Sequence, residues 1–428
     1  MRDRINARSM SIAAALLLEG GALYVVAAPP QRWRSALIVK EEPAARARYE
    51  AMLQAMQAAH SLSYTSRCSA PDGSASVYRV WRKRPNVLRV EQTNETGGFR
   101  TKGTTFLDDG THLWVHWSGD RPGLLIDTQK SWEQMRSDVY VKQASLAGAD
   151  SLRGKIALFG TAWLELILEP GTFHGYPDPL DPYIDGIRSR GTNRVHDEEC
   201  DVIEISFMGA QRTRYLWLSR QDHLPRKIKE IVRDADTRVT VEEWSDVTVN
   251  AEIPAKMLAW SPPQGWRQWD PPKLEDSLLP NGQEAPAFEL RAAHAGKIKL
   301  SDYRGKVVWL YVWSAGSPQC REDIPGLQQL HQDYGDKGLA ILGFNCTDDR
   351  RIAGVFLREN AVTLPSVLDA SESATRLMRL EYGNKAGLLP LHYILEPQGK
   401  VVDAWFGREQ NAERVLAALK KAGLELAQ

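Results

Sequence analysis

The stretch Val307-Val-Trp-Leu-Tyr-Val-Trp313-Ser-Ala-Gly-Ser317-Pro-Gln-Cys320-Arg321 decides the fold of the C-terminal part of this chain. Its seven leading residues form an unbroken apolar run, the pattern of a strand buried on both faces. A helical pattern follows over Arg321–Tyr334, so Cys320 falls where a strand hands over to a helix. Outward from there the two patterns alternate. A strand is expected over Leu339–Asn345, a helix over Ile352–Glu359, a hairpin of His392–Glu396 and Val401–Phe406, and a last helix over Asn411–Ala422. Such alternation predicts an α/β domain.

Upstream, residues 260–287 are linker-like, carrying Pro262, Pro263, Pro271, Pro272, Pro280 and Pro286, and a domain boundary belongs there. Before it the pattern changes character. A helix is expected over Glu41–His60, with Tyr49, Met52, Leu53 and Met56 at helical spacing. Strand-like segments follow at Ser76–Trp81, Val87–Glu91, Leu113–Trp117, Val202–Ser206, Arg214–Leu218, Lys227–Val232 and Val239–Trp244, punctuated by Asp72-Gly73, Gly97-Gly98 and Asp109-Gly110. A helix-like stretch, Leu152–Leu168, and the Pro-rich Tyr176-Pro-Asp-Pro-Leu-Asp-Pro182 interrupt them and read as an insertion or lid.

The full chain of 428 residues is long enough for two or three domains at roughly 150 residues each. With 25% charged and 43% hydrophobic residues it is neither disordered nor a multi-span membrane protein. Lys plus Arg balances Asp plus Glu at 54 each, so no basic surplus drives nucleic-acid binding. Four cysteines, Cys68, Cys200, Cys320 and Cys346, are too few for a disulfide scaffold, though a Cys68–Cys200 bridge stays open in an oxidising compartment. At the N-terminus, Arg2, Arg4 and Arg8 precede an apolar run over residues 9–28 that contains Glu19 and stops at Pro29 and Pro30. Residues 1–30 therefore read as a signal peptide or membrane anchor, with the remainder periplasmic or otherwise extracytoplasmic; the rival is a buried N-terminal helix.

Three segments carry a resemblance: Glu284-Ala-Pro-Ala-Phe-Glu-Leu290, Leu300-Ser-Asp-Tyr-Arg-Gly-Lys306, and the strand running into Ser317-Pro-Gln-Cys320. Together with Gly338–Asn345, Leu389-Pro390 and Gly399–Val402 they resemble the redoxin branch of the thioredoxin superfamily, of TlpA/ResA and AhpC/TSA type. The resemblance implies a thioredoxin fold over 284–428, a reactive cysteine at the helix N-terminus, and protein thiols, disulfides or peroxide as partners. The physical reason is that free N–H groups and the helix dipole stabilise a thiolate. It also implies that Pro390 is the family's cis-proline beside the site; as a residue alone it reads equally as a loop proline.

The motif departs from the family at one place. Where Cys-x-x-Cys would have its attacking cysteine stands Ser317, and only Cys320 remains. A hydroxyl cannot form a disulfide, so the usual dithiol cycle is closed. Three readings stay open. Cys346, ending the neighbouring strand, is an unconventional partner; Ser317-x-x-Cys320 mimics the Thr-x-x-Cys of peroxiredoxins, with Trp313 where that motif has proline; or Cys320 is a small buried hydrophobe on a degenerate fold. Glu322 and Asp323 fall in the first turn of the helix, where acids are favoured regardless of function.

Residues 41–265 resemble the LolA-like lipoprotein carriers, through the leading helix, Trp81–Val90, Asp109–Trp114, Tyr215–Pro225 and Trp260–Trp266. The resemblance implies an α+β open half-barrel whose apolar concavity holds a lipid or another apolar ligand. Eleven of the 14 tryptophans precede residue 270 and fit either a cavity lining or an ordinary core. His112 and His116 lie roughly 13 Å apart along one strand face, too far to share a metal, and no cofactor or metal motif is present. Arg79, Arg82, Lys83, Arg84 and Arg89 read as a solvated basic face. The expected architecture is thus two domains joined by a linker over 266–283. The function follows as thiol-based redox chemistry at Cys320, or as non-enzymatic binding on a degenerate thioredoxin domain.

Overall fold

A computed structural model describes residues 24–26, 38–69, 74–85, 87–117, 138–145, 181–235, 237–270, 273–385, 387–408 and 412–425. Helix α1 (Pro43–Ala58) opens the first domain and buries Ala45, Tyr49, Met52 and Met56 along one stripe, as the spacing predicts. The strands around it are β1 (Tyr24–Val26), β2 (Ser61–Ser69), β3 (Ala75–Lys83), β4 (Val87–Thr96), β5 (Phe99–Asp109), β6 (His112–Trp117), β7 (Val139–Ala144), β8 (Ile184–Val195), β9 (Glu198–Phe207), β10 (Arg212–Ser219), β11 (Pro225–Arg233), β12 (Thr237–Val249) and β13 (Arg267–Gln268). Among the described residues they make one sheet in the order β13-β7-β6-β5-β4-β3-β2-β12-β11-β10-β9-β8, with β1 on β12. Val115 and Val139 near one end of that sheet, Ile187 and Phe207 near the other, and Met52 and Met56 of α1 share a single core, so the sheet bends around the helix without closing. Trp244 stacks on Tyr64 at 3.9 Å inside this core, so these aromatics are packing.

Four longer strands, β2, β5, β7 and β8, have no counterpart among the expected segments, nor have the short β1 and β13, which fall in the expected signal segment and at the expected linker. The outward positions of the four longer strands carry Ser, Thr, Lys and Arg, which dilute the apolar signal to alternation. The solvated basic face is corrected at Arg82. Strand alternation puts it on the inner side with Tyr78 and Val80, where it is buried while Arg79 and Lys83 face out. The Cys68–Cys200 bridge does not form; both thiols are free. Cys68 on β2 and Cys200 on β9 are separated by β12, β11 and β10, four strand spacings or roughly 19 Å along the sheet. The expected insertion between Leu152 and Pro182 lies outside the described residues except for Asp181 and Pro182, in a turn over Asp181–Tyr183. The expected signal or anchor segment lies outside them except for β1. No helix among the described residues is long and apolar enough to cross a membrane.

The second domain begins with the small hairpin β14 (Glu289–Arg291) and β15 (Lys297–Lys299). Its main sheet contains β16 (Val307–Val312), β17 (Leu339–Asn345), β18 (Ser366–Leu368), β19 (Leu391–Leu395) and β20 (Val401–Phe406), in the order β18-β17-β16-β19-β20. β16, β17 and β18 run parallel, and β19 and β20 antiparallel to their neighbours. Helices α2 (Pro318–Tyr334), α3 (Arg350–Glu359), α4 (Glu372–Arg376) and α5 (Ala412–Lys421) cover the faces. Every residue of β16 is buried, as expected for a central strand. Trp309, Tyr311 and Trp313 point to the side packed by α2, α3 and α5; Val308, Leu310 and Val312 point to the other.

Candidate functional site

The site lies where β16 ends and α2 begins. Ser317 is the N-cap of α2, extended at φ −99°, and Pro318 takes the first helical position, where its missing N–H costs nothing. The Ser317 hydroxyl accepts a hydrogen bond from the Cys320 backbone N–H at 3.4 Å. A helix start therefore uses Ser317 as its cap, and Cys320, three residues on, turns inward.

Cys320 is fully buried among Tyr311, Trp313, Ile324 and Leu327. Burial pushes its thiol up to about 12, against smaller downward pulls from Ser317, Ser314 and Tyr311. The Tyr311 hydroxyl sits 3.4 Å from both the Cys320 carbonyl oxygen and Asp323 Oδ2. Burial lifts the Asp323 carboxyl to about 6, with the Arg408 guanidinium pulling it down. A thiol, a phenol and a carboxyl that titrates near neutrality thus share one buried corner.

Pro390 follows a cis peptide bond from Leu389 and is buried. It precedes Leu391, which pairs with Val312, so it lies beside the end of β16. Its carbonyl accepts from the Gly407 N–H at 2.8 Å. Cys346 lies elsewhere. It follows β17 and packs with Val308, Leu310 and Phe344 on the opposite face of the sheet from Cys320, and both thiols are free. Structure therefore gathers Ser317, Cys320 and Pro390 at one end of β16 and leaves Cys346 out.

Other residues join the site that sequence reasoning does not single out. Asp348, 2% exposed, accepts from Ser314 Oγ at 2.8 Å and from the Ala315 N–H and Asn345 Nδ2 at 2.6 Å each. Its own N–H donates to Asn345 Oδ1 at 3.0 Å. The Asn345-Cys-Thr-Asp348 spacing after a strand is a recognisable side-chain turn, a signal present in the sequence. Gln211, from the turn between β9 and β10, also reaches Asp348, and nothing near it in sequence marks it. His116, by contrast, stacks on Trp260 at 4.5 Å, and burial brings its imidazole down to about 4. Among the described residues no group of His, Cys, Asp or Glu is arranged to hold a metal ion.

Residues 281–404 match the AhpC/TSA family. The C-terminal region is a thioredoxin-like redoxin domain, of the class to which thiol-disulfide oxidoreductases belong. It is similar to the thiol-disulfide oxidoreductase ResA of Bacillus thuringiensis (strain Al Hakam), 29% identical over 140 residues that cover 33% of this chain and 77% of that protein. It is also similar to the thioredoxin-like protein YneN of Bacillus subtilis (strain 168), 27% identical over 146 residues, 33% of this chain and 81% of the relative. Among solved structures, a DsbF homologue from Corynebacterium diphtheriae matches at 25% identity with a TM-score of 0.29, over 33% of this chain and 90% of that one.

Proposed function

We propose that this protein is an extracytoplasmic thiol-disulfide oxidoreductase that works through the single thiol of Cys320. The observation carrying this reading is the placement of Cys320 in the first turn of α2, one turn inside the Ser317 cap, at the end of β16 where the segment following Pro390 pairs. In the step, the Cys320 thiol loses its proton to solvent as the substrate docks, and the thiolate attacks one sulfur of a substrate disulfide. A mixed disulfide forms while the other substrate sulfur leaves as a thiolate. An external thiol then attacks the Cys320 sulfur of the mixed disulfide, and the second substrate sulfur leaves as a thiolate. A second external thiol attacks the new disulfide on Cys320, releases the Cys320 thiolate and departs as the oxidised external disulfide, so the substrate gains two electrons and two protons. Ser317 supplies the helix cap and no second sulfur. Pro390 belongs to the wall that an extended substrate would meet.

The leading basic residues and the apolar run over 9–28 support export, with that segment as signal or anchor. A LolA-like role for the first domain, holding an apolar ligand or lipid, is supported by a sheet bent around a leading helix.

The deciding experiment measures reduction of a protein disulfide, and in parallel consumption of hydrogen peroxide, by the wild type and Cys320→Ser with glutathione as external thiol. A rate lost in Cys320→Ser supports the reading, and equal rates overturn it. Full burial of Cys320 and the hydroxyl at position 317 favour one rival, a degenerate domain that binds partners without turnover, and a wild-type rate no higher than that of glutathione alone would support that rival.

A further inference from the structure

We propose that the redox site is composite: Gln211 of the β-domain is a positioning residue that holds Asp348, and through it the loop ahead of Cys320, so that docking of the β-domain controls access to the thiol. This rests on the reading that Cys320 is the reacting group.

The Asp348 carboxylate takes four hydrogen bonds. Three come from its own domain, from Ser314, Ala315 and Asn345, and the fourth comes from Gln211 Nε2 to Oδ1 at 2.8 Å. Burial raises its pKa and the Asp234 charge adds to this, while its hydrogen-bond donors pull it back, so each donor offsets part of the cost of burying the group. Ser314 and Ala315 are the residues through which the chain passes from β16 to the Ser317 cap. Arg321 Nε, one residue past Cys320, donates to the Ala315 carbonyl at 2.5 Å. Asp348 is therefore the anchor of the loop that delivers Cys320.

Gln211 also occupies space there. A Cβ on Gly316 would stand 2.8 Å from Gln211 Nε2 and 3.1 Å from its Cδ. The glycine is needed for side-chain room, since its backbone is outside the left-handed region. Two further ties flank this one: the Ala235 N–H donates to the Thr347 carbonyl at 2.9 Å, and the Tyr183 hydroxyl to the Pro318 carbonyl at 3.4 Å, with the Arg321 guanidinium 5.6 Å from the Tyr183 ring. Three turns of the β-domain thus sit on the two loops that frame the cysteine. Gln211 is the tie made by a side chain 2% exposed to a buried charge.

The test is the rate at which N-ethylmaleimide labels each cysteine of the native full-length chain, followed by mass spectrometry. Gln211→Met keeps the bulk over Gly316 and removes the donor; Gln211→Ala removes both. Each is expected to speed labelling of Cys320 about tenfold, the equilibrium effect of losing one hydrogen bond to a buried charge. Cys68 and Cys200 are internal controls and should label at wild-type rates. In an Asp348→Asn background Gln211→Met, which keeps the bulk over Gly316, should add nothing, because the Gln211 donor acts through Asp348. An unchanged Cys320 rate in Gln211→Met, or a parallel rise at all four cysteines, overturns the proposal. Labelling reads access to the thiol whether or not it turns over a substrate. A chain whose disulfide reduction ignores Cys320 but whose labelling follows Gln211 loses the oxidoreductase reading and keeps the latch.

Discussion

Ser317 and Cys320 occupy the cap and the third residue of one helix, with the Ser317 hydroxyl accepting from the Cys320 N–H at 3.4 Å. The cap position holds a hydroxyl, and the sulfur lies one turn inward. Ser317→Cys should therefore restore a dithiol. On mild oxidation an intramolecular disulfide between the introduced thiol and Cys320 is expected, read as a loss of two hydrogens in the intact mass, and the reduced dithiol should reduce one protein disulfide per chain without an external thiol, itself ending as that intramolecular disulfide. A variant that oxidises only between chains would contradict the helix-start geometry.

Ser317→Ala keeps the helix and removes its cap. The C-terminal domain should lose about 0.5–1 kcal/mol in denaturant unfolding, since the capping bond is long. A larger loss would mean that Ser317 has contacts beyond the cap.

Gly316 and Gln211 fit one another across the domain boundary. Gly316→Ala should destabilise the native chain by about 1–3 kcal/mol through overpacking, seen as a lower thermal midpoint. Gln211→Ala in the same chain should recover most of that, because it vacates the space the new methyl needs. Additive losses in the double variant would show that the two side chains do not compete.

Glu242 carries a pH dependence of the β-domain. Its carboxyl is fully buried, accepting from Ser66 Oγ at 2.5 Å and from the Trp244 indole, and burial raises it to about 7 from 4.5. A folded carboxyl that keeps its proton longer than the unfolded one stabilises the fold below the unfolded pKa, and that contribution fades as pH rises through 7. The difference approaches about 3 kcal/mol. Denaturation followed by tryptophan fluorescence should show wild-type stability falling from pH 4.5 to pH 8 relative to Glu242→Gln, which cannot ionise. Parallel curves would rule this group out.

The four thiols should remain unpaired within one chain. Cys320 and Cys346 lie on opposite faces of one sheet, and Cys68 and Cys200 on well separated strands. Alkylation after denaturation without reductant should count four free thiols, and a count of two would refute the strand assignment.

Much of this was legible in the chain itself. The apolar run from Val307 and the alternation after it specified an α/β fold for the C-terminal part, because burial on both faces of a central strand leaves an unbroken hydrophobic signature. Leu339–Asn345, buried throughout, forms a strand at the expected bounds for the same reason, and the edge strand Val401–Phe406 also keeps its expected bounds. Ser317 and Cys320 were visible as a motif because their relation is local, three residues within one turn. What lies across distance in sequence was not. Arg82 faces inward since the register of β2, β3 and β12 decides which side of each strand is core. Cys346 sits one residue beyond β17, next to the β16 strand that leads to Cys320, yet the pleat and the helix start send the two sulfurs to opposite faces. Gln211 meets Asp348 across 137 residues, and a glutamine in a turn carries no periodicity or composition that announces it. Sequence alone determined the longer strands and helices of the second domain and where the thiol stands, because those depend on near neighbours and on burial, while strands such as β2 and β8, diluted by polar outward positions, escaped it. Only the tertiary structure decided that this thiol is shut inside its own domain and overlain by another, because side-chain facing and domain docking are set by contacts between residues that sequence keeps far apart.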